Sequence, residues 1–247
     1  MTLVLTVWML AAIATATVLS RVSAPYGRHA RAGWGPSLPA AIGWVVMEVP
    51  SLVVMVGWFL ASPRRADPAA RVFVALWAGH YVYRSLVFPW LGAGRKASLP
   101  ISIVAGGVVF NLINATLNGL WLFFEGPRRD DAWFRDPRFV AGVAIFLAGF
   151  LMHVSADAKL RALRAGGASG YTIPQGGLFD LVSCPNYLGE IVEWTGYAIL
   201  TWSMSGASFA LWTAANLLPR AVAHHRWYRQ TFAEYPSTRT AIVPWLL

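Results

Sequence analysis

Apolar residues in this chain come in long blocks, separated by short segments that carry Pro, Gly and charge. Seven blocks reach or approach the roughly 20 residues a helix needs to cross a bilayer core. They cover residues 2–20, 38–61, 70–91, 99–124, 137–156, 181–203 and 204–220. The divider "TWSMSG" (201–206) is weak, so the last two blocks are expected to be short. No alternating ten-residue pattern recurs, which argues against a membrane barrel. The segments 62–69, 92–98 and 125–136 read as connectors. The pattern predicts an all-α polytopic membrane protein, a bundle of seven transmembrane helices forming a single domain over residues 1–247.

Composition strengthens that reading. Apolar types make up 57% of the 247 residues and charged types 13%, too little charge to cover a soluble domain of this size. Mean hydropathy is +0.51. Many of the 13 Trp sit near the ends of apolar blocks, as an interfacial belt requires. The first block lacks a basic n-region and is too long for a signal peptide, so it is expected to be the first span. The net charge of +9 lies in short loops instead of along one polar face, which argues against nucleic-acid binding. The single cysteine, Cys184, excludes an internal disulfide and a multi-Cys metal site.

Loop charge orients the bundle. Arg21, Arg28, Arg31, Arg95, Lys96, Lys159, Arg161, Arg164, Arg220, Arg226, Arg229 and Arg239 fall on one side. Fewer basic residues, Arg64, Arg65, Arg71, Arg128, Arg129, Arg135 and Arg138, fall on the other. The positive-inside rule then puts the N-terminus outside and the C-terminus in the cytoplasm. No internal repeat stands out, against a transporter built on inverted repeats.

Charged groups at membrane depth cost about 2.5–3.5 kcal/mol each on insertion scales, so each needs a reason. Glu48 lies near the middle of "GWVVMEVPSLVVMVGWF" (43–59), with Pro50 behind it and no basic residue one turn away in its own block. His80, Tyr81 and Arg84 lie at similar depth in the third block, where Arg84 can neutralise a neighbouring acid. A carboxylic acid at Glu48 can donate a hydrogen bond to a phenol or a substrate carbonyl, and Tyr81 is the matching phenol. Asn111, Asn114 and Asn118 recur on one face of the fourth block, where hydrogen-bonded helix contact is the simpler explanation. Asn186, Glu190 and Glu193 share one face of the sixth.

The cytoplasmic half is more polar than a plain bundle requires. "DAKLRALRAGGASGYTIPQGG" (157–177) puts Asp157, Arg161 and Arg164 on one helical face ahead of a Gly-rich loop, and "RAVAHHRWYRQTFAEYPSTRTAIVP" adds guanidinium, imidazole and phenol groups. That inventory suits a phosphate-bearing cofactor; a basic rim facing anionic lipid is the plainer alternative. No GxGxxG follows a strand, and His224 and His225 are adjacent with no HxxxH or HExxH spacing, so neither a Rossmann site nor a metal is expected.

"YTIPQGGLFDLVSCPNYLGEIVEWTGYAILTW" (171–202) and "HHRWYRQTFAEYPSTRTAIVPWLL" (224–247) resemble the C-terminal half of the steroid 5α-reductase family, the 3-oxo-5α-steroid 4-dehydrogenases. "YGRHA" (26–30), "MEVPS" (47–51) and "HYVYRSLVFP" (80–89) extend the likeness over nearly the whole chain. The resemblance implies a seven-helix membrane reductase acting on a steroid; a location in a bacterial inner membrane is expected, and a monomer is one of the oligomeric states left open. It implies that NADPH reduces the Δ4 double bond of 3-oxo-Δ4 steroids, hydride going to C5 and a proton to C4. Glu48 and Tyr81 match the residues taken to bind the C3 carbonyl, with Trp44 nearby. For NADPH the resemblance points to Asp157, Arg164, Tyr171, Asn186, Glu190, Arg220, His224 and Tyr228, so residues 150–247 are expected mainly on the cofactor side.

The chain departs from the family at His153, where many relatives have Asn, at "GAGRKAS" (92–98) and at "SCPNYLG" (183–189). A membrane methyltransferase using S-adenosylmethionine is the nearest rival, but its Arg-His-Pro-x-Tyr segment is absent. A transporter with Glu48 and Arg84 along a pathway leaves the Gly- and Arg-rich loops unexplained.

Overall fold

The computed structural model describes residues 1–91, 97–165 and 171–247, except the side chains of Arg164 and Ala165. Arg164, Arg95 and Lys96, named in the expectations above, therefore lie outside the described residues. The fold is largely helical. Four helical segments, Thr2–Arg21, Ala40–Ala61, Ile101–Glu125 and Pro137–Leu163, are long and apolar enough to cross a membrane. They expose Leu3, Val7, Leu10, Val53, Leu60, Val109 and Leu151, the side chains lipid accepts at no cost. Contacts group the chain into two units: Ala24–Val140 with Thr201–Ser205, and Thr2–Ser23 with Ala141–Leu200 and Gly206–Leu247.

In the first unit a short repeat sets the frame. "SLP" occurs at 37–39 and at 98–100, and these become β1 (Ser37–Pro39) and β2 (Ser98–Pro100), antiparallel with Leu38 opposite Leu99. Each Pro precedes a helix, α2 (Ala40–Ala61) and α5 (Ile101–Leu120). The first helical N–H groups lack intrahelical partners. Ala40 N therefore donates to Ala97 O, and Ile101 N to Pro36 O. Two helices that leave one ribbon together run side by side. Gly43 and Gly107 let them touch, since a Cβ at Gly107 would fall 2.2 Å from Met47 Cγ and one at Gly43 3.3 Å from Val104 Cγ2. α2 stays helical through Pro50.

The expected third span is a composite. α3 (Pro68–Val82) begins with Pro at its first position behind Asp67, the placement where a missing N–H costs nothing. A π-helical turn (Tyr83–Val87) and the short α4 (Phe88–Leu91) follow. α5 also ends in a π-helical turn, Trp121–Glu125. Its last carbonyls are capped by side chains: Arg64 donates to Leu122 O and Phe124 O, and Ser62 Oγ to Phe123 O. Arg128 Nε donates to Asp67 at 2.7 Å, and that bond holds the Asp67 carboxyl below its ordinary range. The hydrogen bond from Arg138 likewise brings Asp136 down to about 2. Trp133 is buried, with the Arg129 and Arg138 guanidinium carbons 3.9 and 4.7 Å from its ring centroid.

The second unit is organised by glycine. It holds α1 (Thr2–Arg21), most of α6 (Pro137–Ala165), most of α7 (Pro185–Thr201) and most of α8 (Met204–Thr231). Gly142 and Gly149 on α6 face Gly189 and Gly196 on α7. An added Cβ at any of them would lie 2.3–2.5 Å from a backbone nitrogen of the other helix. The two backbones therefore meet directly along a seam with a seven-residue step. α7 and α8 are divided at Trp202, whose φ is +45°. α8 continues past the expected end at residue 220, so "HHRWYRQT" is helix, not tail. The C-terminal segment returns to pair Thr240 with Leu181 and Ser183, and Ile242 packs with Cys184 and Ala221.

Candidate active site

Within the first unit, Glu48 on α2 and Tyr81 on α3 are joined through Asn111 on α5. The Tyr81 hydroxyl donates to Asn111 Oδ1 at 3.3 Å, and Asn111 Nδ2 donates to Glu48 Oε2 at 3.2 Å. Arg84, in the π turn just after α3, lies 3.9 Å from Glu48 Oε1. Its guanidinium is also 4.5 Å from the Trp44 ring and 4.8 Å from that of Phe88. Trp44 thus holds the cation that faces Glu48, and the acid sits among donors. The π turn frees backbone groups that the regular ladder would use; Ser85 Oγ donates to Tyr81 O. Tyr81 is buried, stacked on Trp77 and edge-on to His80.

A second polar cluster forms in the other unit, along the glycine seam. Backbone contact there brings the α7 face of Asn186, Glu190 and Glu193 against His153 and Asp157 on α6. Asn186 Nδ2 donates to Asp157 Oδ1 at 3.1 Å. His153 Nε2 lies 3.3 Å from Asp157 and 4.0 Å from Glu190, and its Nδ1 lies 3.5 Å from Glu193. The His153 imidazole is thus set among three carboxylates. Arg220, His224 and Tyr228 recur every four residues on one face of α8. Arg220 Nε donates to the Tyr187 hydroxyl at 3.1 Å, and that hydroxyl is 3.4 Å from His224 Nε2. Tyr228 stacks on Tyr235. Tyr171 stands apart, 42% exposed and edge-on to Trp227.

The "PQGG" turn is tied at three points. Lys159 Nζ donates to Gly176 O, Asp180 accepts from Gly176 N, and Arg239 donates to Pro174 O. Gly176 and Gly177 have φ of +84° and +62°, a region L side chains avoid, and Gly177 has open space where a Cβ would stand. Ser183, buried beneath, lies 2.7 Å from His225 Nδ1 and 2.6 Å from the Tyr235 hydroxyl. Burial, with Arg229 adding to it, keeps His225 below its ordinary value. A buried guanidinium, carboxylates, amides and an open glycine backbone form a donor and acceptor set that fits a ligand carrying both phosphate and ribose.

The model of the family described as 3-oxo-5-alpha-steroid 4-dehydrogenase matches residues 97–247. A steroid 5-alpha-reductase of Arabidopsis thaliana is 39% identical over 240 residues, covering 94% of this chain and 91% of the relative. This chain belongs to the 3-oxo-5-alpha-steroid 4-dehydrogenase family. The bovine 3-oxo-5-alpha-steroid 4-dehydrogenase 1 is 40% identical over 237 residues, covering 93% and 90%, and its human counterpart 40% over 223, covering 90% and 85%. Among the residues that set this family member's two clusters, sequence reasoning had treated Asn111 as helix contact and had passed over Tyr187. The four-residue spacing of Arg220, His224 and Tyr228 was a signal it left unused.

Proposed function

We propose that the chain is an NADPH-dependent 3-oxo-5α-steroid 4-dehydrogenase that reduces the Δ4 double bond of 3-oxo-Δ4 steroids to the 5α product. The observation that carries the reading is the Glu48–Asn111–Tyr81 link with Arg84 beside it, in a chain about 40% identical to enzymes of that name. The protein is a monomeric, seven-span enzyme of the cytoplasmic membrane, N-terminus outside and C-terminus inside. Its domain spans residues 1–247, with the N-terminal helices on the substrate side and residues 150–247 on the cofactor side. The bias of basic residues toward one set of loops supports that orientation.

When bound, the nicotinamide supplies the hydride that C5 receives. The chain's own residues deal with charge and position. Tyr81 hydrogen-bonds the C3 carbonyl, with Glu48 as its acid–base partner, so negative charge developing on the enolate oxygen meets a ready donor, and C4 takes a proton from water as the C3 carbonyl re-forms. One such donor is worth about 10²–10³ in turnover. Arg84 keeps Glu48 in place from the side held by Trp44. Asp157, Asn186, Glu190, Arg220, His224 and Tyr228 bind the dinucleotide, with Arg164 and Tyr171 completing the set; Arg220 is suited to phosphate, and Asn186 with Asp157 to ribose or carboxamide.

The test is purified protein with NADPH and testosterone. Absorbance near 340 nm should fall in step with a product heavier by two hydrogens. No NADPH oxidation with several enones, or methyl transfer from S-adenosylmethionine, would contradict the assignment.

A further inference from the structure

Asn111 is buried, and both its amide hydrogens and its amide oxygen are engaged. Nδ2 donates to the Met47 carbonyl at 2.7 Å and to Glu48 Oε2 at 3.2 Å, while Oδ1 accepts from Tyr81 at 3.3 Å. The orientation of this amide follows from its neighbours. A backbone carbonyl can only accept, so the nitrogen must face Met47, the oxygen must face Tyr81, and the phenol must be the donor. The bond to the backbone is short; those to the two side chains are long. One amide N–H is therefore anchored on the backbone, while the other N–H and the oxygen are lightly linked to Glu48 and Tyr81.

We propose that Asn111 is a positioning residue for the reduction: a single amide on α5 that sets the Glu48 carboxylate and the Tyr81 hydroxyl in register. The proposal rests on the reading of Glu48 and Tyr81 as the carbonyl-binding pair. Holding two helices together would require only the Met47 carbonyl bond. The other two bonds go to side chains on two different helices, the two assigned to substrate. In the resting protein the Tyr81 proton is directed at Asn111 Oδ1, so the phenol is held in one rotamer. An incoming ketone oxygen competes for that same proton against a long, weak bond, and the transfer of the hydrogen bond costs little.

The frame for this amide is built upstream. The paired "SLP" segments start α2 and α5 together, which places Glu48 and Asn111 about 13 and 16 Å along their helices from the common ribbon. Gly107, one turn before Asn111, admits the Met47 side chain and lets α5 approach at that level.

The experiment is a double-mutant cycle on detergent-purified enzyme, with testosterone and NADPH as probes. Asn111→Leu keeps the size and removes all three bonds; Asn111→Asp keeps an acceptor for Tyr81 and removes both donors. The NADPH dissociation constant and thermal midpoint report folding of each variant. The expected result is a turnover number about tenfold lower for each, NADPH affinity unchanged, and steroid KM altered less than threefold or so. In a Tyr81→Phe background, Asn111→Leu should cost clearly less turnover than in wild type, because one of the two residues through which it acts is already gone. Turnover in Asn111→Leu within about twofold of wild type, with Tyr81→Phe impaired, would overturn the positioning role alone. An equal loss in both backgrounds would also overturn it, as a purely structural effect. Wild-type turnover in both Tyr81→Phe and Glu48→Gln would instead overturn the parent reading of the pair.

Discussion

The glycine seam between α6 and α7 can be tested with a single methyl group. In Gly149→Ala the new Cβ would lie 2.3 Å from Glu193 N and 2.7 Å from both Glu193 Cα and Gly189 O. These are backbone atoms of a helix, which cannot swing aside as a long side chain can. Restoring ordinary contact requires the helices to separate by about 1 Å. Overpacking of this kind costs about 1–3 kcal/mol, and rigid neighbours put it at the upper end. For a chain of this length that lowers the melting midpoint by about 6–10 °C. The same displacement carries Asn186 and Glu190 away from Asp157 and His153, so NADPH affinity should fall at least about tenfold. Gly106→Ala is the matched control, since a Cβ there meets nothing within 4 Å, and alanine should stabilise that helix slightly. Midpoints are read by thermal scanning in detergent and affinity by fluorescence quenching. A Gly149→Ala protein matching the control in both would refute the close backbone contact.

Other expectations follow from the same geometry. The Asp136 carboxyl is lowered from 3.8 to about 2 by its hydrogen bond from Arg138. Its contribution to stability is therefore complete above pH 3.8 and lost as pH falls through about 2. Asp136→Asn should flatten the midpoint-against-pH curve between about pH 4 and 2; an unchanged curve would remove that pair from the account. Arg220→Gln should raise the NADPH dissociation constant at least about tenfold while leaving steroid KM near wild type, and equal effects on both ligands would count against its phosphate role. Glu48→Gln should lower turnover by about an order of magnitude or more and Tyr81→Phe by about 10²–10³, checked by steady-state rates with testosterone.

Helices were legible because lipid demands long apolar runs, and Glu48 and Tyr81 stood out because charge and phenol at depth are costly. Other features stayed hidden for physical reasons. The "SLP" pair is too short to register as a repeat, yet two hydrogen bonds across it start α2 and α5 together. Gly142, Gly149, Gly189 and Gly196 read as ordinary small residues until the facing helix is known, since the seam lies between segments remote in sequence. Asn111 looked like one more polar group on a face with Asn114 and Asn118; only its three partners separate it from them. The end of the seventh stretch was set too early because polar residues such as His224 and Arg226 ended the apolar run but not the helix.

The proposed reaction delivers hydride to C5 of a 3-oxo-Δ4 steroid from the α face. It is tested most directly with NADPH doubly deuterated at nicotinamide C4, testosterone and the purified enzyme, the product being examined by mass and deuterium NMR. A single deuterium at C5 in the α configuration is the predicted outcome. Deuterium at any other carbon, or a 5β product, would contradict it.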